Sequence, residues 1–391
     1  MYVRASFRVS STAPYPQSTV NIPIYSNILL KLPRIMLAFQ ILCWFGIGLC
    51  RKSRIISFLF FALLLLTYLD ILIMYVIVIK INGCEIKWAL ERIISVTSSI
   101  VLMHSVIRKR YEITVAMKRV EFMDKTMSEK KANILAGFIL VSPFIYSLTV
   151  LMASEVGGDE RGFLYLFYGI PMSNKMLKSF ILFCKSFICY LLFPTYSNFF
   201  ILTFCVIFYD SSLSIRNLSQ EVERCPPQEF TTGIQLKYLT CRRKILKMLD
   251  ELQANFSLVC FIACAGHFSH CFALITQIML YSFRENAFTS LADSAINLIN
   301  VVIPLILMFW IPEQIPLEME NLNKIIRCKY EMRASYGIVS ENSTIEKLLL
   351  DEKIFVVSGC NLIFFRRRNI LSVLGSALTY GLLLIGLEVR N

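Results

Sequence analysis

Asp70, Arg92 and Lys185 are charged side chains inside apolar stretches of this sequence. An ionisable group at membrane depth is costly unless it faces protein or water, so each one marks a partner or a function. Arg92 and Lys185 sit near the ends of their stretches, where a long side chain can snorkel. They read either as snorkelling or paired groups, or as the lining of a ligand cavity. Asp70 lies in mid-stretch and is too short to snorkel, so it asks for an interhelical hydrogen bond or a protonated carboxyl rather than an ion site. A second constellation is Cys260, Cys264, His267 and Cys271, at steps of four, three and four and hence on one helical face, with His270 beside it. Soft ligands of this kind hold zinc or copper. One straight helix cannot wrap four ligands around an ion, however, and Cys is a common apolar filler, so no metal is expected. The chain has three His (His104, His267 and His270), no Gly-rich phosphate loop, no His-Glu-x-x-His and no nucleophile with a His nearby. Neither an enzyme nor a cofactor is expected.

Membrane helices must position these residues. The 391 residues are 56% hydrophobic and 17% charged, against about 45–50% and about 25% in soluble domains, and the mean hydropathy is +0.61. The expected fold is an all-α membrane protein, a single domain over 1–391, with seven transmembrane helices at about 55–79, 86–107, 132–152, 179–208, 256–281, 288–311 and 370–387. Residues 1–54 form an N-terminal region without a cleavable signal peptide. It carries a stretch from Ile28 to Cys50 broken by Lys31, Pro33 and Arg34. The uninterrupted part, about 16 residues, falls short of the roughly 20 that a bilayer needs, so it reads as an amphipathic or re-entrant pre-helix. The fourth span is long, with a kink expected at Pro194 and its lower part continuing beyond the membrane as helix. In 236–252 the residues Leu236, Leu239, Ile245, Leu246, Leu249 and Leu252 recur at helical steps between basic residues, so the long loops 209–255 and 313–368 read as packed helical extensions.

The basic residues orient the bundle. Of the 40 Lys and Arg, 31 fall on the side of the N-terminal region and the second, fourth and sixth loops. Cytoplasmic loops collect positive charge, which places the N-terminus in the cytoplasm and the C-terminus outside, the reverse of a G-protein-coupled receptor. The net charge of +13 then reflects contact with anionic membrane lipid, not nucleic acid. Of the 13 Cys only Cys84 lies clearly in an outer loop, so no extracellular disulfide is expected. No internal repeat is visible, which weighs against a transporter built from duplicated halves.

The last apolar stretch follows Phe364-Phe365-Arg366-Arg367-Arg368 and contains Thr379-Tyr380, then Gly386-Leu387 after five apolar or small residues. This arrangement resembles the last helix of insect gustatory receptors, in which Thr-Tyr, five mostly apolar residues and Gln-Phe follow an aromatic and basic stretch. Gly386-Leu387 in place of Gln-Phe is a departure. The resemblance extends over the whole chain in length, inverted topology, the pre-helix and the long inner loops.

That resemblance implies an inverted seven-span chemoreceptor: a taste receptor acting as a ligand-gated cation channel subunit for small-molecule tastants. Such receptors assemble as homo- or hetero-tetramers with related subunits, in the plasma membrane of gustatory sensory neurons. Their seventh helices surround a central pore, and each subunit holds its ligand in an outward-facing pocket. Carried over by motif, Tyr380 is the signature tyrosine, Leu383 falls at the hydrophobic constriction and Gly386 takes the place of the polar Gln at the outer mouth. Ser376 and Thr379 share the stripe with Tyr380 and Leu383. From the residues alone that stripe fits a pore lining or a helix-packing face of Gly375, Ser376 and Ala377 equally. For the pocket, the outer halves of spans two to six offer Trp88, Arg92, Tyr146, Lys185, Gln277 and Tyr281. A G-protein-coupled receptor and a secondary transporter are the alternative readings.

Overall fold

A computed structural model describes residues 51–82, 86–121, 128–156, 167–168, 173–281, 287–338, 343–351 and 353–388. The N-terminal region before residue 51, with the pre-helix, lies outside the described residues. Helix follows helix: α1 Arg51–Asn82, α2 Ile86–Arg108, α3 Arg110–Glu121 and α4 Ser128–Val156. The run from 175 to 224 comprises α5 Lys175–Tyr190, a π-helical turn Leu191–Thr195, and α6 Tyr196–Arg224. Then come α7 Thr232–Tyr281, α8 Ala287–Trp310, α9 Gln314–Ser335 and α10 Ser343–Leu350. A two-stranded antiparallel hairpin, β1 Ser358–Gly359 with β2 Ile363–Phe364, leads into α11 Arg368–Glu388.

Helix covers all seven expected stretches, apart from Ile311, which lies in the turn after α8. Four runs among the described residues, Lys130–Met152, Lys175–Arg224, Thr232–Ile275 and Ala295–Ser335, are long and apolar enough to cross a membrane. Where water is absent, backbone polar groups must be satisfied internally, which favours continuous helix. Four buried hydroxyls follow the same rule: Ser147, Thr203, Ser211 and Ser219 each donate to the carbonyl four residues earlier, at 2.7–3.0 Å.

Three prolines test that rule, because each removes the donor for a carbonyl four residues before it. Pro143 in α4 deprives Ile139 O, which accepts from Ser142 Oγ at 2.8 Å. Pro194 interrupts the fourth stretch as expected: the backbone opens at Phe193 (φ −150°, ψ 128°) inside a π turn. Pro304 in α8 deprives Asn300 O, which finds its donor on another helix, Asn198 Nδ2 of α6 at 3.1 Å.

The packing centres on α7, which touches α2, α3, α6, α8, α10 and α11. Its 50 residues extend about 75 Å, well over the roughly 30 Å of a bilayer core. The first half of α7, with the second half of α6, α9 and α10, forms a bundle beyond the apolar stretches, the helical extension that the 236–252 pattern predicts. Its core includes Val222, Phe230, Leu249, Leu252, Ile315 and Leu322, all buried.

Three buried cations hold this extension together through carbonyl oxygens. Lys329 Nζ donates to Glu223 O at 2.8 Å and Cys225 O at 2.7 Å, capping the C-terminus of α6. Arg242 donates to Leu349 O at 2.8 Å and Asp351 O at 2.5 Å at the end of α10, and Arg333 donates to Phe230 O. Burial lowers the Arg242 guanidinium from its ordinary value, and the nearby Asp351 raises it part of the way back. Lys329→Met should therefore cost about 2–3 kcal/mol, because two buried carbonyls lose their donor. Thermal unfolding of the purified chain checks it, and an unchanged midpoint would mean that the cap carries no weight.

Candidate functional site

The C-terminal motif does three structural jobs. Phe365 is buried between α6 and α8, with its ring 5.9 Å from Phe204 and 5.4 Å from Phe309. Arg367 lies over the Trp310 ring at 4.1 Å, and its backbone N–H donates to Glu313 Oε2 at 2.5 Å. The hairpin just before them is clamped to α7. Gln253 Nε2 donates to Ser358 O at 2.5 Å, and Gln253 Oε1 accepts from Ser358 N at 3.1 Å. Ser257 Oγ accepts from Cys360 N at 2.7 Å. A Cβ on Gly359 would sit 3.2 Å from the Phe261 Cα, so a side chain there would press the hairpin a few tenths of an ångström away from α7. The start of α11 is thus fixed to α7 and α8 together.

One face of α11 packs and the other is open. Ala377 is fully buried and Leu374 joins a cluster of Cys271, Leu274 and Val301. On the other side Ser372, Ser376, Thr379, Tyr380 (60% exposed) and Leu383 (56% exposed) face away from the subunit. A Cβ on Gly375 would meet nothing within 4 Å. Of the three small residues that could have made a packing face, only Ala377 packs within this subunit. The Ser376 and Thr379 hydroxyls donate to Ser372 O at 2.7 Å and Gly375 O at 2.8 Å, so the open face presents satisfied hydroxyls and apolar bulk. Gly386 lies in the last turn of α11.

A buried polar chain crosses three helices beside the π turn. His267 of α7 has Nε2 2.9 Å from Asn198 Oδ1 of α6 and Nδ1 3.0 Å from Ala263 O. Asn198 Nδ2 goes on to Asn300 O of α8. With that amide nitrogen committed, Asn198 Oδ1 faces His267 Nε2, and the one N–H of a neutral imidazole is shared between the demands of this oxygen and of Ala263 O. The Phe193 ring, at the break in the helix, sits 5.8 Å from the His267 ring and 4.9 Å from that of His270. Cys260, Cys264 and Cys271 do lie on one face with His267, and all four are buried by neighbouring helices. No group of three or more His, Cys, Asp or Glu among the described residues could hold a metal.

Asp70 and Lys185, read separately from the sequence, meet. Lys185 Nζ of α5 lies 3.0 Å from Asp70 Oδ1 of α1. It also sits 4.2 Å from the centre of the Tyr168 ring, and the Tyr168 hydroxyl donates to the same carboxylate oxygen. Next to them, Ile71, Met74, Val96, Phe167 and Leu182 form a buried cluster. The interhelical hydrogen bond expected of Asp70 is thus an ion pair with Lys185. Tyr146 of α4 is buried and stacks on Tyr190 of α5 at 4.2 Å. Trp88 and Arg92 fall in α2 and Gln277 and Tyr281 in α7, but their side chains lie outside the described set.

Sequence reasoning missed Tyr168, Asn198 and Asn300. Asn198 had a signal: Pro304 leaves a carbonyl without its donor at Asn300, so a polar side chain from another apolar stretch had to answer it. For Tyr168 there was none, because it lies in a loop 98 residues from Asp70, outside the apolar stretches.

No protein-family model matches the chain, and no curated protein matches it. Among solved structures it is similar to the insect olfactory receptor OR5 from Machilis hrabei, with a TM-score of 0.60 over 86% of this chain and 90% of that one, at 14% identity. So low an identity speaks for the fold, and it does so over nearly the full length of both chains. The chain has the fold of an insect olfactory receptor.

Proposed function

We propose that the chain is a taste receptor: a subunit of a tetrameric, ligand-gated cation channel in the plasma membrane of gustatory neurons, opened by small-molecule tastants. The observation that carries this reading is the insect olfactory receptor fold over 86% of the chain. The C-terminal Thr379-Tyr380 motif narrows it to the gustatory branch. Seven spans, with the N-terminus in the cytoplasm and the C-terminus outside, follow from the apolar stretches and the side bias of Lys and Arg. The outward face of α11 supports a pore role, since four such faces around an axis would line a water path with Ser376, Thr379 and Tyr380 and narrow it at Leu383. Clamping of α11 to α7 through the hairpin supplies a route from a pocket among the other helices to that face. A ligand opens such a channel only by binding the open state more tightly than the closed one.

The test combines topology and current in cells expressing the full chain, alone and with related subunits. A C-terminal tag should be labelled on intact cells and an N-terminal tag only after permeabilisation. A tastant panel should evoke cation current. The opposite labelling pattern would sink the inverted topology, and saturable uptake without current would point to a transporter.

A further inference from the structure

We propose that Asp70 and Tyr168 form a binding site for an organic ammonium ion, and that Lys185 fills it as a tethered competitor. This deepens the receptor reading above, and rests on it for the consequence of binding, by naming a ligand class. Free amines are recognised by two attractions, a charge-assisted hydrogen bond to a carboxylate and the face of an aromatic ring. Both are present and both are in use. The Lys185 ammonium lies 3.0 Å from Asp70 Oδ1 and 4.2 Å from the centre of the Tyr168 ring. The Tyr168 hydroxyl donates to that same oxygen, which fixes the carboxylate relative to the ring. An ammonium therefore fits the site, and in this structure the ammonium belongs to the chain.

Two further features suit a ligand that comes and goes. The pair is not sealed: the Lys185 and Asp70 side chains keep 22% and 23% of their exposure. The lysine stem has rotatable bonds throughout, so its head can leave without movement of α5. Ile71 and Phe167, the sequence neighbours of Asp70 and Tyr168, are buried in an apolar cluster with Leu182, which anchors the elements that carry the site. Tyr168 holds its ring in place from a left-handed backbone (φ 57°), a conformation rare for an aromatic residue and retained where surrounding contacts determine it. Displacement of Lys185 would release the link between α1, α5 and the segment that carries Tyr168. A tethered group has an effective concentration on the order of millimolar or more, so a free amine competes poorly with Lys185 and binds well once Lys185 is gone.

Lys185→Ala removes three carbons and the nitrogen, the atoms of n-propylammonium, which is the probe. Thermal unfolding of the purified full chain is measured in n-propylammonium chloride and in sodium chloride of equal strength. The K185A midpoint should rise by about 2 °C or more in the amine, and saturate. The wild type should not move at the same concentration, and neither should the Asp70→Asn/Lys185→Ala double variant. Should K185A unfold on extraction in sodium chloride, a monodisperse species restored by extraction in propylammonium serves as the readout, and its absence counts against the site. No shift in folded K185A, an equal shift in the double variant, or an equal shift in the wild type would each overturn the proposal. No current is recorded, so failure here leaves the channel reading standing, and a silent channel leaves this one standing.

Discussion

Leu383→Ser should pass cation current with no ligand present. Leu383 projects from the open face of α11, one turn beyond Tyr380, while the opposite face of the helix is held by α7 and α8. In the proposed tetramer four copies form an apolar ring, and ions do not shed their hydration against methyl groups, so a narrow ring stays dry and closed. Four hydroxyls in place of four isobutyl groups both widen the ring and wet it. A barrier lowered by only about 1.4 kcal/mol raises resting current about tenfold, and the change in hydration should exceed that. Little cost in stability is expected, because the side chain is 56% exposed in the subunit. Whole-cell recording beside surface labelling checks the result. A well-expressed variant that is silent at rest and gates normally with ligand would move the gate away from Leu383.

The ambiguity at α11 shows where sequence reading ends. Helical spacing placed Ser372, Ser376, Thr379, Tyr380 and Leu383 on one face, but spacing is indifferent to what that face meets. Within the subunit, the side-by-side arrangement of α7, α8 and α11 buries Ala377 and leaves Gly375 and Ser376 open. Apolar runs and the amphipathic 236–252 pattern made the helices legible, because periodicity and length are local properties. Partnerships were not. Asp70 and Lys185 are 115 residues apart, and each was recognisable only as a charge in need of a partner. Lys329, Arg242 and Arg333 were counted among the charges that orient the chain, yet each is buried and caps carbonyls in the bundle beyond the apolar stretches. Charge counting treats every Lys and Arg as a solvated group, and only the packed extension reveals which are not.

Asn198→Leu should be among the most destabilising single changes in the chain, at about 3–5 kcal/mol. The amide serves two clients, both buried. It donates to Asn300 O, whose own helix offers no donor because residue 304 is proline, and its Oδ1 lies 2.9 Å from His267 Nε2. Leucine shares the branching and heavy-atom count of asparagine, so its larger methyl groups add strain to a loss that falls mainly on hydrogen bonding. The proline provides the means to separate the two losses. In Pro304→Ala the residue regains an N–H, Asn300 O is satisfied within α8, and Asn198 is left with His267 alone. The cost of Asn198→Leu should therefore fall by about 1–2 kcal/mol in the Pro304→Ala background. His267→Leu added to that pair removes the second unpaired group, and should bring the protein closer still to its starting stability. Thermal unfolding of the four combinations measures the coupling. Equal cost in both backgrounds would mean that Asn198 does not answer the proline. The chain of hydrogen bonds would then be a consequence of how α6, α7 and α8 pack beside the π turn, and not one of its causes.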